Sequence, residues 1–367
     1  MATNGKNNYA MNIMKCALTA GLLLSVMTAS SQGISAPYQP GITQDAVSYW
    51  LPKTKLTVTV KVQKQTFKPG EFSRYAERYL RLSDVKDKAE EVWEITSVSI
   101  SSYGIPDKDK LYTLAFPLKG NRPSFELTDQ GVISAVNTHA KKEEKTVLPA
   151  TQLNPSVTKV NPQTYMTEEI LMAGSTAKMA ELTAKEIYNI RESRNAITRA
   201  QSDFIPSDGE SVKLMLESLS TQETALLSLF NGTSETEEHT FTIDVTPDAP
   251  VTKQILFRFS GKLGVLPVDN LAGEPVWIDI IDKKVLPEQN VTVKPQKGKK
   301  ATGPFLYYRI PGRALVKVYN NRLSFTEQDI QVAQFGNVEV ISSTIMGKNA
   351  GTKITFDTNT GSVLTVE

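Results

Sequence analysis

Cysteine is almost missing from this chain: its 367 residues hold one, Cys16. That residue follows Lys15 at the front of an apolar run, whereas a lipidated cysteine would follow a small residue at a cut site, so a lipid anchor is not expected. Histidine is nearly as scarce. His139 and His239 lie far apart in Asn137-Thr-His-Ala-Lys-Lys142 and Glu237-Glu-His-Thr240. Neither belongs to an H-E-x-x-H helix or to a close pair, so both read as surface histidines and not as metal ligands. An excess of one charge is missing too, with 41 basic residues against 39 acidic. So is any apolar run of the roughly 20 residues that a membrane-spanning helix needs.

The N-terminus does hold the parts of an export signal in their proper order. Lys6 and Lys15 precede the short apolar stretch Cys16-Ala-Leu-Thr-Ala-Gly-Leu-Leu-Leu-Ser-Val-Met27. Small residues follow at Thr28-Ala-Ser-Ser31, with Ala29 and Ser31 at the two positions a signal peptidase reads. Residues 1–31 are therefore expected to be a signal peptide cut before Gln32, with translation starting at Met1, Met11 or Met14. The expected location is the periplasm or the cell surface, with no integral membrane segment left after cleavage. Removal takes two lysines and no acid, so basic residues fall to 39, level with the acids. A chain without net charge has no field to steer it to nucleic acid, which is not an expected partner. The basic run Lys294-Pro-Gln-Lys-Gly-Lys-Lys300 lacks interleaved aromatics and reads as a solvated loop. Once Cys16 is gone, disulfides, thiol nucleophiles and cysteine-ligated zinc are excluded.

Residues 32–46 combine Gly33, Pro37, Pro40 and Gly41 without periodicity, which predicts an extended leader. From Lys55 the chain alternates strictly, Leu56, Val58, Val60 and Val62 against Thr57, Thr59, Lys61 and Gln63, as a strand with one buried face does. Lys68-Pro-Gly70 ends it. Phe72, Tyr75, Ala76, Tyr79 and Leu80 have helical spacing and predict a short helix with both tyrosines inward. Strands are predicted over Val92–Ile100 and Leu111–Phe116, and a hairpin over Phe125–Ile133 turning at Asp129-Gln-Gly131. These make an N-terminal β domain at 47–165. Over 166–232 the period becomes helical. Ala177, Ala180, Ala184, Ile187 and Ile190 form an apolar stripe, with Glu181 and Lys185 spaced to pair. Ser207-Asp208 would cap a segment carrying Val212, Met215, Leu216 and Leu219, and Ser220-Thr-Gln-Glu223 reads as a capping box opening a separate helix that stops at Gly232. A C-terminal β domain is predicted over 233–367, closing in a hairpin at Ile354–Val366 that turns through Asp357-Thr-Asn-Thr-Gly361. The expected fold class is α+β, mainly β: two β-sandwich-like domains with a central helical segment.

Several phrases carry a likeness that none carries alone. They are Tyr49-Trp-Leu-Pro-Lys-Thr54, Phe67-Lys-Pro-Gly70, Tyr75-Ala-Glu-Arg-Tyr-Leu80, Ala184-Lys-Glu-Ile-Tyr-Asn-Ile-Arg-Glu-Ser-Arg194, Leu229-Phe-Asn-Gly232, Phe257-Arg-Phe-Ser260 and Tyr308-Arg-Ile-Pro-Gly312. In this order they resemble an exported-protein family of Bacteroidetes, catalogued as domain-of-unknown-function family 4831. The resemblance covers most of residues 47–367. It implies an envelope location and no activity, so no catalytic residues carry over.

Candidate chemistry is sparse. Ser175-Thr-Ala-Lys178 matches the S-x-x-K element of penicillin-binding enzymes, where a lysine one turn from a serine assists it. No K-T-G accompanies it, and the nearest S-D tripeptides are Ser202-Asp-Phe and Ser207-Asp-Gly, so Ser175 reads as a helix start and Ser83-Asp-Val-Lys86 as a chance match. Asp357-Thr-Asn-Thr-Gly361 begins like a calcium loop, but its glycine comes one residue early and no bidentate acid follows, which favours a turn. Asp279 with Asp282, or Glu237 with Glu238, would serve a glycosidase only at a spatial separation that sequence spacing does not define. Phe305-Leu-Tyr-Tyr-Arg309 and Val47-Ser-Tyr-Trp50 offer aromatics to a groove or to a core, with core the favoured reading. Arg191, Arg194 and Arg199 would grip an anion, or line a solvated face with local Glu pairing, and the second is favoured. No catalytic, cofactor-binding or metal-binding residue is assigned, and no cofactor is expected. The expected function is a non-catalytic binding or assembly component that contacts an envelope protein or a glycan. The alternative is a periplasmic hydrolase acting on glycan or cell wall through unpatterned carboxylates.

Overall fold

A computed structural model describes residues 34–40, 46–115, 123–140, 160–201, 208–286, 304–342 and 351–367. The expected signal peptide and the basic run at Lys294–Lys300 lie outside the described residues. The alternation predicted for the first strand extends over β2 (Ala46–Lys68), which pairs with β3 (Glu90–Ala115) and β6 (Thr233–Val245), while the short β1 (Ile34–Pro37) lies on the far side of β3. Leu56, Val58, Val60 and Val62 are fully buried. They pack on a second sheet in the order β11 (Ser324–Ser342), β10 (Pro304–Tyr319), β9 (Glu274–Asp282), β7 (Val251–Ser260), β8 (Gly264–Leu266), whose Ile278, Ile280, Val316 and Val318 complete this first core. A third sheet, β13 (Val363–Val366), β12 (Ile354–Phe356), β5 (Ile133–Val136), β4 (Phe125–Leu127), closes a second core around Tyr49, Leu51, Tyr112, Leu114, Phe305 and Leu306. All pairings between these strands are antiparallel, an isolated parallel bridge joins Trp50 to Val132, and each core draws strands from both sides of the helical segment.

Four long strands serve both cores because they bend between them. Leu111 pairs with Trp50 and Pro106 with Pro52, so Asp107–Lys110 bulge out of β3 opposite Leu51. Two facing prolines supply no N–H to the ladder there, which makes it a natural place for the register to break. This is why two strands predicted at Val92–Ile100 and Leu111–Phe116 form one. The same device recurs in β10 and β11, where Ile310 pairs with Asn337 and Gly312 with Val332 around Pro311, leaving Ala333–Gly336 as the bulge. A Cβ on Gly336 would lie 1.8 Å from the Ile310 carbonyl oxygen, so only glycine fits.

The helical segment packs against the C-terminal end of β2. A single 3₁₀ turn leads into α1 (Ala76–Leu80), followed later in the chain by α2 (Glu168–Leu171), α3 (Thr176–Thr198) and α4 (Gly209–Asn231). Phe72, Ala76 and Leu80 form the buried line of the first turn and helix, and Tyr75 and Tyr79, half-buried, pack against the same core on the inward side predicted for them. Ala180, Ala184, Ile187 and Ile190 are buried at their predicted spacing. Glu181 pairs with Lys178 at 3.0 Å and not with Lys185. The capping box predicted at Ser220–Glu223 opens no helix: α4 runs straight through, because Glu223 is taken by Arg191 and Arg194 of α3 and leaves the backbone to continue its own ladder. Asp208 caps α4 as predicted, accepting from the Glu210 and Ser211 amides, and Gly232, at φ 78°, ends it.

Candidate functional site

Most residues singled out for chemistry are structural. The Ser175 hydroxyl accepts from the Lys178 amide at 3.3 Å and caps α3, and the Lys178 ammonium goes to Glu181, so serine and lysine are not coupled. Lys86 pairs with Glu90. His139 is exposed, and His239 on β6 lies against the Trp93 ring with centroids 5.2 Å apart. Asp357 accepts from the Asn359 amide and the Thr360 hydroxyl, and the Asn359 side-chain oxygen takes the Gly104 amide, so the calcium-like phrase is a hairpin turn whose oxygens are already occupied. Among the described residues no three His, Cys, Asp or Glu side chains group to hold a metal ion. Asp279 accepts from the Lys253 amide and the Tyr319 hydroxyl, and Asp282 from the Lys284 amide. Arg191 and Arg194 meet Glu223 across the helix pair, a partner far away in sequence and not a local one.

The two aromatic phrases meet inside the molecule. Tyr49 is buried, accepts from the Tyr307 amide at 2.8 Å, and lies beside Tyr112, which stacks on Tyr307 at 4.3 Å. Burial pushes the Tyr49 phenol far above its usual range, so it stays neutral. Arg309 reaches across the sandwich from β10 to the bulged Asp107 and donates to the Ala333 carbonyl. Burial lowers the Arg309 pKa, and Asp107 opposes that shift. Thr54 receives the Ala333 amide while the Gln334 side chain bonds both backbone groups of Thr54. These bonds tie the two bulges to each other at the corner between the cores.

What faces outward is the other side of β2. Even-numbered residues from Leu56 to Val62 point into the first core, and Lys64 lies over the Trp93 ring that packs against it, so the odd-numbered residues face solvent. Their neighbours by register are Ser101, Ser99 and Ser97 on β3 and Asp244, Thr242 and Thr240 on β6, beside Thr57, Thr59 and Lys61. The hydroxyls of Thr59, Ser97, Ser99, Thr240 and Thr242 take no partner among the described residues. Lys55, bound to Asp244, lies near the exposed Tyr103 ring at one end of this face. At the other end, Gln65, Phe67 and Val92 floor a cleft of about 340 Å³, Asp84, Val85 and Lys86 overhang it, and Glu90, Asn231 and Ser234 complete it. Lys86 holds the Glu90 carboxyl below the usual carboxylate range. Only the outward side of β2 was visible in the alternation; the cleft joins five chain segments, and no local spacing could have announced it.

A family model for a domain of unknown function, DUF4831, matches residues 45–364. The chain belongs to that family. All the phrases quoted for the resemblance fall inside the matched span, as do the open face, the cleft and both bulges. No curated protein matches the chain, and no solved structure does. Among the described residues no helix is long and apolar enough to cross a membrane.

Proposed function

We propose that this member of the family is an exported, non-catalytic binding component of the cell envelope that holds its partner on the open face of the first sheet. The observation that carries this is an outward three-stranded face rich in hydroxyls, five of them without a partner among the described residues, ending in a cleft, on strands whose opposite side is buried in the first core. A rigid scaffold with one uncovered side suits recognition. Export is supported by the order of charge, apolar run and small residues at the N-terminus. Asp84 and Glu90 in the cleft raise the hydrolase alternative, but a general acid needs a raised pKa, and Lys86 shifts Glu90 the other way.

The test is a photoreactive amino acid at Ser99 in living cells, with the exposed Lys213 of α4 as control. Adducts with an envelope component from position 99 and none from 213 are expected. Equal yields at both positions would remove the face as the binding surface. Release of sugar from a cell-wall or polysaccharide substrate, lost in Asp84→Asn, would establish the hydrolase instead.

A further inference from the structure

We infer that the ligand of the open face is a neutral polysaccharide chain, lying along β2 with its end in the cleft; this rests on the binding role proposed above. The argument is one of charge and complementarity. Lys55 is spent on Asp244 and Lys86 on Glu90, which leaves Lys61 facing outward with Glu94 and Glu238 and no excess of cations. Phosphate-bearing or sulfated polymers require that excess. Protein partners require something else, a desolvated aromatic or aliphatic centre. From Gln63 to Thr57, with Glu94 to Ser101 and Glu238 to Asp244 beside them, the outward positions hold hydroxyl, amide and charged side chains and no apolar one.

A polyol answers what this surface does offer. Serine and threonine hydroxyls each donate one hydrogen bond and accept others, which matches a ligand whose own hydroxyls do the same. Two aromatic rings flank the array, Tyr103 at one end beneath the Lys55 ammonium and Phe67 at the other beneath the Lys86 ammonium, so a sugar ring that stacks its C–H side on either would take the place of that ammonium. The path from Lys55 to Phe67 is about 40 Å of extended strand, long enough for a chain and far longer than a single sugar requires. In the cleft, the Gln65 and Asn231 amides and the Asp84 carboxylate surround the Phe67 floor, a mixture of planar polar groups and an aromatic surface. The volume lies within the range of small-ligand sites.

The experiment is affinity electrophoresis of the purified protein lacking residues 1–31, in gels containing unsubstituted linear glucan, mannan or galactan, with a sulfated glucan as the anionic control. Retardation by at least one neutral polymer and none by the sulfated one is expected. Ser99→Trp, which blocks the middle of the face, should weaken that retardation about tenfold at an unchanged melting temperature, and Tyr103→Ala should weaken it less. The double variant Thr59→Val with Ser99→Ala removes two hydroxyls without adding bulk and serves as the check on folding. Failure of all three neutral polymers, or full binding by both the Trp variant and the double variant, overturns the inference. If position 99 still captures an envelope protein in cells, the binding role stands and only the saccharide falls. If it captures nothing, both fall.

Discussion

Two ionic clusters join parts of this molecule that are distant in sequence, and they differ in how much water they keep. At the corner between the β cores, Arg309 and Asp107 have side chains 4% and 10% exposed. Between α3 and α4, Arg191 and Arg194 are 35% and 38% exposed and share Glu223, each at 2.6 Å. The first pair has left water almost entirely, and the Arg309 Nε has no partner among the described residues. Its attraction must offset a large desolvation cost, so its contribution is to specify where the bulges meet more than to stabilise. The helical cluster keeps both arginines half in solvent, where either can rehydrate if its partner is lost. Equal-looking salt bridges should therefore respond very differently to the loss of a charge.

The largest effect is expected for Asp107→Ala, which strands a buried guanidinium and should cost about 3–5 kcal/mol in urea unfolding. A cost below 1 kcal/mol would mean that the corner is wet. Replacing both partners, Asp107→Leu with Arg309→Met, should recover most of that loss, since an apolar pair of similar volume carries no desolvation cost. A double variant as unstable as the single one would show that the charges themselves are required. Glu223→Gln should cost only about 1 kcal/mol, because both arginines can turn to solvent. Lys178→Ala, at the exposed pair with Glu181, should change stability by less than about 0.5 kcal/mol.

The smallest effect is local and depends on pH. The Ser211 hydroxyl, then the Ser211 and Glu210 amides, hold Asp208 below the usual carboxylate range. A depressed carboxyl stabilises above its unfolded value of about 3.9, and that contribution is lost as pH falls through the lower folded value. Amide exchange at the first turn of α4 should therefore accelerate as pH drops below about 4, beyond the intrinsic trend. In Asp208→Ala this extra acceleration should vanish.

Residues acting through neighbours close in sequence were legible. The alternation of β2, the stripe of α3, the caps at Ser175 and Asp208 and the stop at Gly232 each depend on contacts within a few positions, and so could be seen from spacing. Partners from afar overrode the rest. Ser220–Glu223 has the pattern of a capping box, but two arginines from another helix claim its glutamate. Asp107-Lys-Asp-Lys110 lies between the two strands predicted at Val92–Ile100 and Leu111–Phe116, and it is opposite Pro52 and beside the distant Arg309 that it becomes a bulge within one strand. The aromatic phrases at 47–50 and 305–309 gave no sign of which ring would be buried, since that depends on their mutual stacking. The open face was visible as the polar half of an alternating pattern, whereas the cleft required the return of the chain at Asn231 and Ser234.

The long strands that pass through both cores also set a distance. β1 joins β3 at the end where β2 begins, and the third sheet, with β13, lies at that same end, while the cleft is at the other. β2 is 23 residues long, a contour of roughly 75 Å. The turn that leads into β13 meets Pro52 and Gly104 at the bulge, so a fluorophore or surface linkage on the described C-terminal strand is separated from the cleft by the Pro52–Phe67 stretch of β2, a contour of roughly 50 Å. Immobilisation through that end leaves the cleft free, and donor and acceptor dyes at Thr365 and Asp84 would report on the bend between the cores, so any change of its angle would appear as a change in energy transfer.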